Sequence, residues 1–301
     1  MKMTVQSPAK LNLFLEINGK RNDGYHLIST VMQSVTLYDD ITVTVDKEGH
    51  GIELSCNKEN IPCDSSNTAY KAAEVFFEHT GLPKAAVSIR IKKRIPSGAG
   101  MAGGSTDAAG VLYALNELYE TGMTNEELAG LGERIGADVP FCVYGGTMSA
   151  TGIGSILSPL PDMPDCHIVI VMPDFRISTA EAYNRSDSLG YDFTKSMENM
   201  TGAICSERLA QTAAALYNRF EEVAGIDEIS EIKEMMLRSG ALGALMTGSG
   251  SAVFGIFDDR DKASSCEDNL SRKYDEVFIV HPDRAGPQKV VPGGLIGSLL
   301  G

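Results

Sequence analysis

Between Arg94 and Asn116 the chain reads RIPSGAGMAGGSTDAAGVLYALN, and this stretch restricts the fold more than any other. Gly98, Gly100, Gly103, Gly104 and Gly110, with several small residues between them, lead into a run whose apolar residues have helical spacing. Glycine allows positive φ and lets a bulky anion approach the main chain. The following helix offers free N–H groups and the positive end of its dipole. Together these form a phosphate cradle. No Gly-Lys-Ser/Thr follows, and the spacing does not fit strand-Gly-x-Gly-x-x-Gly, so neither the P-loop nor the dinucleotide fingerprint applies. An alternating strand, AAVSIRIKKRI, delivers the chain to the loop, and Val111, Leu112, Leu115 and Leu118 mark the buried stripe of the helix that leaves it.

The ligand such a loop would take is narrowed by charge. The chain has 301 residues and a net charge of −14, which argues against general nucleic-acid binding. Against that background Lys10, Lys20, Arg21, Lys92, Lys93 and Arg94 gather near the loop or the opening strand. A positive site in an acidic protein suits a small anionic ligand; a solvated basic face is the plainer reading. The 43% hydrophobic composition is that of a globular chain able to bury a sizeable core. No apolar run approaches membrane-spanning length, and the N-terminus has no signal-peptide pattern, so no membrane association is expected. The six cysteines form no C-x-x-C pair, which favours reduced thiols in a cytoplasmic protein over metal or redox use.

Along the chain, residues 3–17 alternate at period two, with Ala9, Leu11, Leu13, Leu15 and Ile17 on one face and Lys10, Asn12, Phe14 and Glu16 on the other. Lys10 and Asn12 therefore project together, into a site or into solvent. Asn18-Gly19 and Asp23-Gly24 predict a hairpin-like connection. Tyr25-His26 directly after it could wall a planar ligand or simply pack the turn. STVMQSVTL, DDITVTVD and residues 52–55 read as strands, and a helix begins near Ser66/Asn67 and stops at Gly81. Thr124 to Glu127 fits a capping box. In GADVPF, Asp138 lies between a helix end and a proline, as either a working carboxylate or a turn aspartate. Residues 185–202 read as loop or irregular helix, and 206–223 and 228–239 as helices. Thr247-Gly248-Ser249-Gly250-Ser251 is a second small-residue loop or a tight hairpin turn. The Gly- and Pro-rich junction near 155–165 divides the chain into domains at 1–158 and 159–285, with a loosely packed tail at 286–301.

Three separated motifs, SPAKLNLFLEI, PSGAGMAGGSTDAA and MTGSGSAVFG, together resemble the GHMP small-molecule kinase superfamily over about residues 5–282. AKLNLFLEINGKRNDGYHLI and GADVPFCVYGG point to its branch acting on a cytidine diphosphate-linked methylerythritol. The resemblance implies a two-domain α+β fold, with a ribosomal-S5-like N-terminal domain and a ferredoxin-like C-terminal domain. It implies ATP-dependent phosphorylation of the acceptor's 2-hydroxyl in the non-mevalonate route to isoprenoid precursors, with Mg2+, by a monomer or homodimer. Lys10 and Asp138 match the catalytic positions. Pro96, Ser97, Gly98, Ala99, Gly100, Met101, Ala102, Gly103, Gly104, Ser105 and Thr106 match the ATP phosphate loop, and Lys93, Asn67 and Thr68 fall where the family contacts the nucleotide. Asn12, Tyr25 and His26 match positions that hold the cytidine diphosphate end, with Tyr183 as the opposite aromatic wall and Thr179 grouped with them. Ala102 replaces a usual glycine, and its methyl group fits if local φ stays negative or the phosphate lies slightly off. No glutamate stands in the post-loop helix where some members hold magnesium, so phosphates and water would hold it. A kinase of the same superfamily acting on mevalonate, homoserine or a sugar is a rival, opposed by Tyr25-His26. A catalytically dead nucleotide-binding regulator is another, opposed by Lys10 and Asp138.

Overall fold

In the computed structural model, which describes residues 1–83, 85–191 and 195–290, the backbone of the molecule is one long antiparallel hairpin. β1 (Lys2–Lys20) and β2 (His26–Asp46) pair from Lys2↔Thr44 to Lys20↔His26. The two runs predicted as separate strands are this single β2. Register shifts at Pro8/Ala9, Asn12/Phe14 and Ile17/Gly19 break the strict alternation. Such bulges bend the strand and re-aim side chains. Phe14, expected on the polar face, is buried, and Lys10 is only 5% exposed. β1 is therefore covered on both faces through its middle, and the solvent-facing reading of Lys10 does not hold.

The first half of the chain builds on this hairpin. β3 (Gly51–Cys56), α1 (Thr68–Thr80), β4 (Ala86–Lys92), α2 (Gly103–Tyr119), α3 (Asn125–Glu133), α4 (Val139–Tyr144), β5 (Thr147–Thr151) and β6 (Ile156–Pro159) follow in order. β4 pairs with one end of β2 and β5 with the other. The helix signals read from sequence are realised: Asn67 caps α1 by accepting from Ala69 N, Gly81 closes it at φ 63°, and Thr124 and Glu127 form the capping box of α3. Phe76 of α1 and Val111, Leu112 and Leu115 of α2 join Ile41 and Ile89 in one core. Gly110 lets α2 lie close to the sheet, since a Cβ there would stand 2.4 Å from Ser7 Oγ and 2.8 Å from Ile41 Cδ1.

The second half contains β7 (His167–Met172), α5 (Thr179–Leu189), α6 (Met197–Cys205), α7 (Leu209–Ala214), β8 (Tyr217–Asn218), α8 (Arg219–Ala224), α9 (Asp227–Arg238), β9 (Gly243–Met246), β10 (Val253–Phe257), α10 (Arg260–Leu270), β11 (Glu276–Val280) and β12 (Gln288–Lys289). Its antiparallel sheet runs β11-β7-β10-β9, with α9 and α10 among its crossovers, which is the expected ferredoxin-like order. Both faces of this sheet are buried. Ile168 and Ile170 pack with Leu11, Leu13 and Val35 of the hairpin, and Val169 and Val171 pack with Ile232 and Phe257. The two halves thus share apolar core across the hairpin.

Three sequence expectations change. The helix predicted over 206–223 is broken, because Tyr217 and Asn218 leave it to pair in parallel with Phe14 and Leu15 of β1. Residues 185–202 hold the end of α5 and most of α6, with 192–194 outside the described residues. The tail begins ordered: Gln288 and Lys289 pair with Gln6 and Val5, and Val290 N donates to Thr4 O at 2.9 Å. The remainder of the tail, 291–301, lies outside the described residues. The boundary expected at 158/159 falls inside β6, whose Pro159 still pairs with Met148, and β8 and β12 return to the first sheet.

Candidate active site

The loop between β4 and α2 forms one wall of a cavity of about 450 Å³. Pro96, Gly98, Ala99, Gly100, Met101, Ala102, Gly103, Gly104 and Ser105 all line it, as does Thr68 at the start of α1. Ser97 and Thr106 do not. Thr106 is fully buried, and its hydroxyl donates to Pro8 O at 2.7 Å, pinning the start of α2 to β1 just before Lys10. Lys10 N in turn donates to Met101 O. Ala102 adopts φ +56°, in the left-handed region, at the N-cap of α2. The negative φ that would have seated its methyl group easily is not used, because the loop keeps the geometry a glycine would take.

Lys93 is placed differently from the expectation. Its side chain is 3% exposed, and Nζ lies 2.6 Å from Asp39 Oδ2 and 2.8 Å from Asp107 Oδ2, and donates to Gly103 O at 3.0 Å. Nζ is spent on two hydrogen bonds and a second ion pair within the protein, so Lys93 braces the loop instead of facing a nucleotide. Burial lowers the Lys93 pKa, but the two carboxylates outweigh it and raise it. Burial, opposed by Lys93 and reinforced by Asp39, pushes Asp107 up to about 8. One ammonium serves two buried acids. Asn67 is likewise occupied, accepting from Ala69 N and donating to Pro62 O. The predicted basic cluster is largely neutralised: Lys20 pairs with Asp187, Arg21 with Asp23 and Arg94 with Asp40.

Lys10 does project into the cavity. Its Nζ donates to Asn12 Oδ1 at 2.5 Å and lies 3.9 Å from Asp138 Oδ2. The register of β1 puts Lys10 and Asn12 on one side, and the turn between α3 and α4 brings Asp138 across from a position 128 residues later. Asp138 stands at the N-cap of α4 but makes no capping bond, which leaves its carboxylate, 39% exposed, to the cavity. Asn12 is held twice more, by Nδ2 to Thr30 Oγ1 and by its N–H to Thr247 Oγ1.

That last bond ties in the second small-residue loop, 247–251, so the hairpin-turn reading is incomplete. Gly248 and Ser249 line the cavity, and Ser249 Oγ lies 2.9 Å from Thr179 Oγ1. Gly100, at φ +75°, packs against this loop so tightly that a Cβ would sit 2.1 Å from Thr247 O. Asn218 holds the loop from behind. It is buried, and its Nδ2 donates to Met246 O at 2.6 Å and Gly248 O at 2.8 Å, while Oδ1 accepts from Phe220 N at 3.0 Å. Glu221 Oε2 adds a bond from Met246 N. These residues were missed in the sequence because they fall inside a run read as continuous helix. Asn218 as an N-cap was the available signal.

The aromatic end is only partly assembled. Tyr183 lines the cavity and stacks on His26, with ring centroids 4.2 Å apart and planes at 18°. Burial first, then the Asp138 charge, push the Tyr183 phenol up to about 12. His26 does not line the cavity; its Nε2 lies 2.6 Å from Asp187 Oδ1. Burial pushes the Asp187 carboxyl up, but hydrogen bonds from Lys20, Tyr191 and His26 outweigh it and hold the group at about 2. Tyr25 is 60% exposed and away from the cavity. The expected pair of walls around a base is therefore Tyr183 resting on His26, with Tyr25 outside.

Among the described residues no group of three or more His, Cys, Asp or Glu could hold a metal ion. Asp107, in the first turns of α2 just after the loop, is committed to Lys93. No helix of the described residues is long and apolar enough to cross a membrane.

Two family models match the chain, GHMP kinases N terminal domain over residues 67–146 and GHMP kinases C terminal over 200–276. The chain is 40% identical over 279 residues to a 4-diphosphocytidyl-2-C-methyl-D-erythritol kinase of Clostridium beijerinckii, covering 92% of this chain and 99% of that protein. It is 42% identical to the same-named protein of Clostridium tetani, with the same coverage. Among solved structures, a 4-(cytidine 5'-diphospho)-2C-methyl-D-erythritol kinase superposes with TM-score 0.77 at 31% identity, over 94% of this chain and 99% of the other. A homoserine kinase from Cytophaga hutchinsonii reaches TM-score 0.78 at 17% identity, over 96% and 97% of the two chains, and shares the fold.

Proposed function

The chain belongs to the 4-diphosphocytidyl-2-C-methyl-D-erythritol kinases of the GHMP kinase superfamily, and we propose from that membership that Lys10 and Asp138 carry its chemistry. The enzyme transfers a phosphoryl group from ATP to the 2-hydroxyl of 4-diphosphocytidyl-2-C-methyl-D-erythritol, within the non-mevalonate route to isoprenoid precursors. The observation that supports the assignment best is the convergence of Lys10, Asn12 and Asp138 opposite the glycine-rich loop, with Lys10 Nζ 3.9 Å from Asp138 Oδ2.

Phosphoryl transfer asks a protein mainly for positioning and charge stabilisation. The loop from Pro96 to Ser105 cradles the phosphates with main-chain N–H groups and the start of α2. Asp138 accepts the proton of the attacking hydroxyl. Lys10, fixed by Asn12, offsets negative charge that develops on the transferring group. Asn12 is anchored by Thr30 and Thr247, so it orients Lys10 without moving itself. Tyr183 and Thr179 face the acceptor, and His26 supports the Tyr183 ring from behind.

Mg2+ supplies charge neutralisation for the triphosphate when bound. The residues present fit a magnesium that arrives with the nucleotide and keeps its water, as this ion commonly does, since the described residues build no protein cage and Asp107 is occupied. The six free thiols agree with a cytoplasmic enzyme.

The test is steady-state kinetics on Asp138→Asn and Lys10→Ala with ATP and the cytidylylated acceptor. Each variant loses about a hundred- to a thousandfold in kcat, while the KM for ATP stays near the parent's. Turnover close to the parent's in either variant rejects the assignment.

A further inference from the structure

On the kinase reading, ATP and a diphosphate-bearing acceptor bring several negative charges into a chain that already carries −14. The basic residues named from the sequence supply little to meet them. Lys20, Arg21, Lys93 and Arg94 are each held by carboxylates, Lys10 shares its charge with Asp138, and Lys92 is exposed but does not line the cavity.

A cation from the other half of the molecule stands beside the loop. Arg176 lies on the connection from β7 to α5, 78 positions after Gly98 in the chain. Its Cδ is 3.8 Å from the place a Cβ on Gly98 would occupy. Gly98 lines the cavity at φ +70° and is exposed. With no side chain on Gly98, nothing of that residue's own stands between the arginine and the cavity rim. Arg176 is exposed and forms no ion pair or hydrogen bond among the described residues. The nearby acid of α5, Glu181, is taken by Arg185 at 2.6 Å. A guanidinium is always charged and presents a planar fork of donors that matches phosphate oxygens.

We propose that Arg176 is a phosphate-binding residue of this site, reaching past Gly98 to a phosphoryl oxygen of either ATP or the acceptor's diphosphate. The contact would join the two halves of the molecule across the bound anion. It rests on the kinase reading above. Nothing along the chain announces it, because Arg176 is a single cation in MPDFRIST and belongs to none of the three quoted motifs.

The experiment is steady-state kinetics of the full chain as parent, Arg176→Ala and Arg176→Lys, with ATP and the cytidylylated acceptor varied separately. Charge-assisted hydrogen bonds set the expected loss for Arg176→Ala at about ten- to a hundredfold in kcat/KM for one ligand. Arg176→Lys recovers part of it, keeping the charge but losing the fork. A KM rise confined to the acceptor assigns the contact to its diphosphate. A KM rise confined to ATP, or a fall in kcat alone, assigns it to the triphosphate. All parameters of Arg176→Ala within twofold of the parent overturn the proposal. A parent that turns over no acceptor removes the kinase reading instead, and this inference with it.

Discussion

Lys93→Met separates a structural role from a nucleotide contact. The substitution keeps an unbranched side chain of similar reach and removes the charge. In the folded protein the side chains of Lys93, Asp39 and Asp107 are 3%, 0% and 4% exposed. Asp39 Oδ1 also accepts from Arg94 N and Ile95 N, the two residues that lead into the phosphate loop. Without the ammonium, two buried acids lose their counter-charge and Gly103 O loses its donor. Removing one partner of a buried pair costs about 3–5 kcal/mol, a large part of a typical total of about 5–15 kcal/mol. The cost depends on pH, with a definite sign. Asp107 titrates near 8 when folded, against 3.8 as its ordinary value, so between those pH values the folded chain holds a proton the unfolded chain lacks. Its contribution to stability is complete below the unfolded value and is lost as pH rises through the folded one. In Lys93→Met the opposing charge is gone, the folded value climbs further, and low pH relieves the repulsion. Urea unfolding followed by circular dichroism at pH 5.5 and pH 8 measures both effects through the midpoint. The expected result is a large deficit at pH 8 that narrows at pH 5.5. A variant as stable as the parent at pH 8, with a raised KM for ATP, would refute the reasoning and return Lys93 to the nucleotide.

Two further outcomes follow from the same structure. Asn218→Asp keeps the cap on Phe220 N but turns two donated bonds, to Met246 O and Gly248 O, into oxygen–oxygen contacts. Kinetics should show kcat falling about tenfold or more as loop 247–251 shifts from Asn12 and Gly100, since a buried unpaired acceptor costs about 1–3 kcal/mol; unchanged kcat would mean the loop holds itself. Ala102→Gly relieves a left-handed alanine worth about 1–2 kcal/mol, part of which returns as unfolded-chain entropy. Calorimetry should therefore show a Tm no lower than the parent's, and a clear drop would place the methyl group in useful packing.

Much of this molecule could be read along the chain. Local rules act over a few residues, so the capping box at Thr124, the Asn67 cap, the Gly81 stop and the alternation of β4 appear where they were expected. The glycine-rich loop, and Lys10 and Asn12 on one strand face, were legible for the same reason, while their roles came from the resemblance to the GHMP kinases. Where a local pattern met a tertiary partner, the partner won. Tyr217 and Asn218 leave a helical run because β1 offers them a parallel edge and because loop 247–251 offers carbonyls to an amide. Gln288 and Lys289 join β1 for a similar reason, although nothing in GPQKV announces a strand.

Charge is where sequence and structure part most clearly. Spacing along the chain pointed to a phosphate cradle, because that depends on backbone conformation and short-range periodicity, while the choice of lysine and aspartate and the two-domain fold came from the resemblance to the GHMP kinases. Which cations remain available to a ligand was decided only in three dimensions. Ion pairing depends on distances between residues far apart in the chain: Lys93 finds Asp39 and Asp107 and is spent, while Arg176, beside Gly98, pairs with no acid among the described residues.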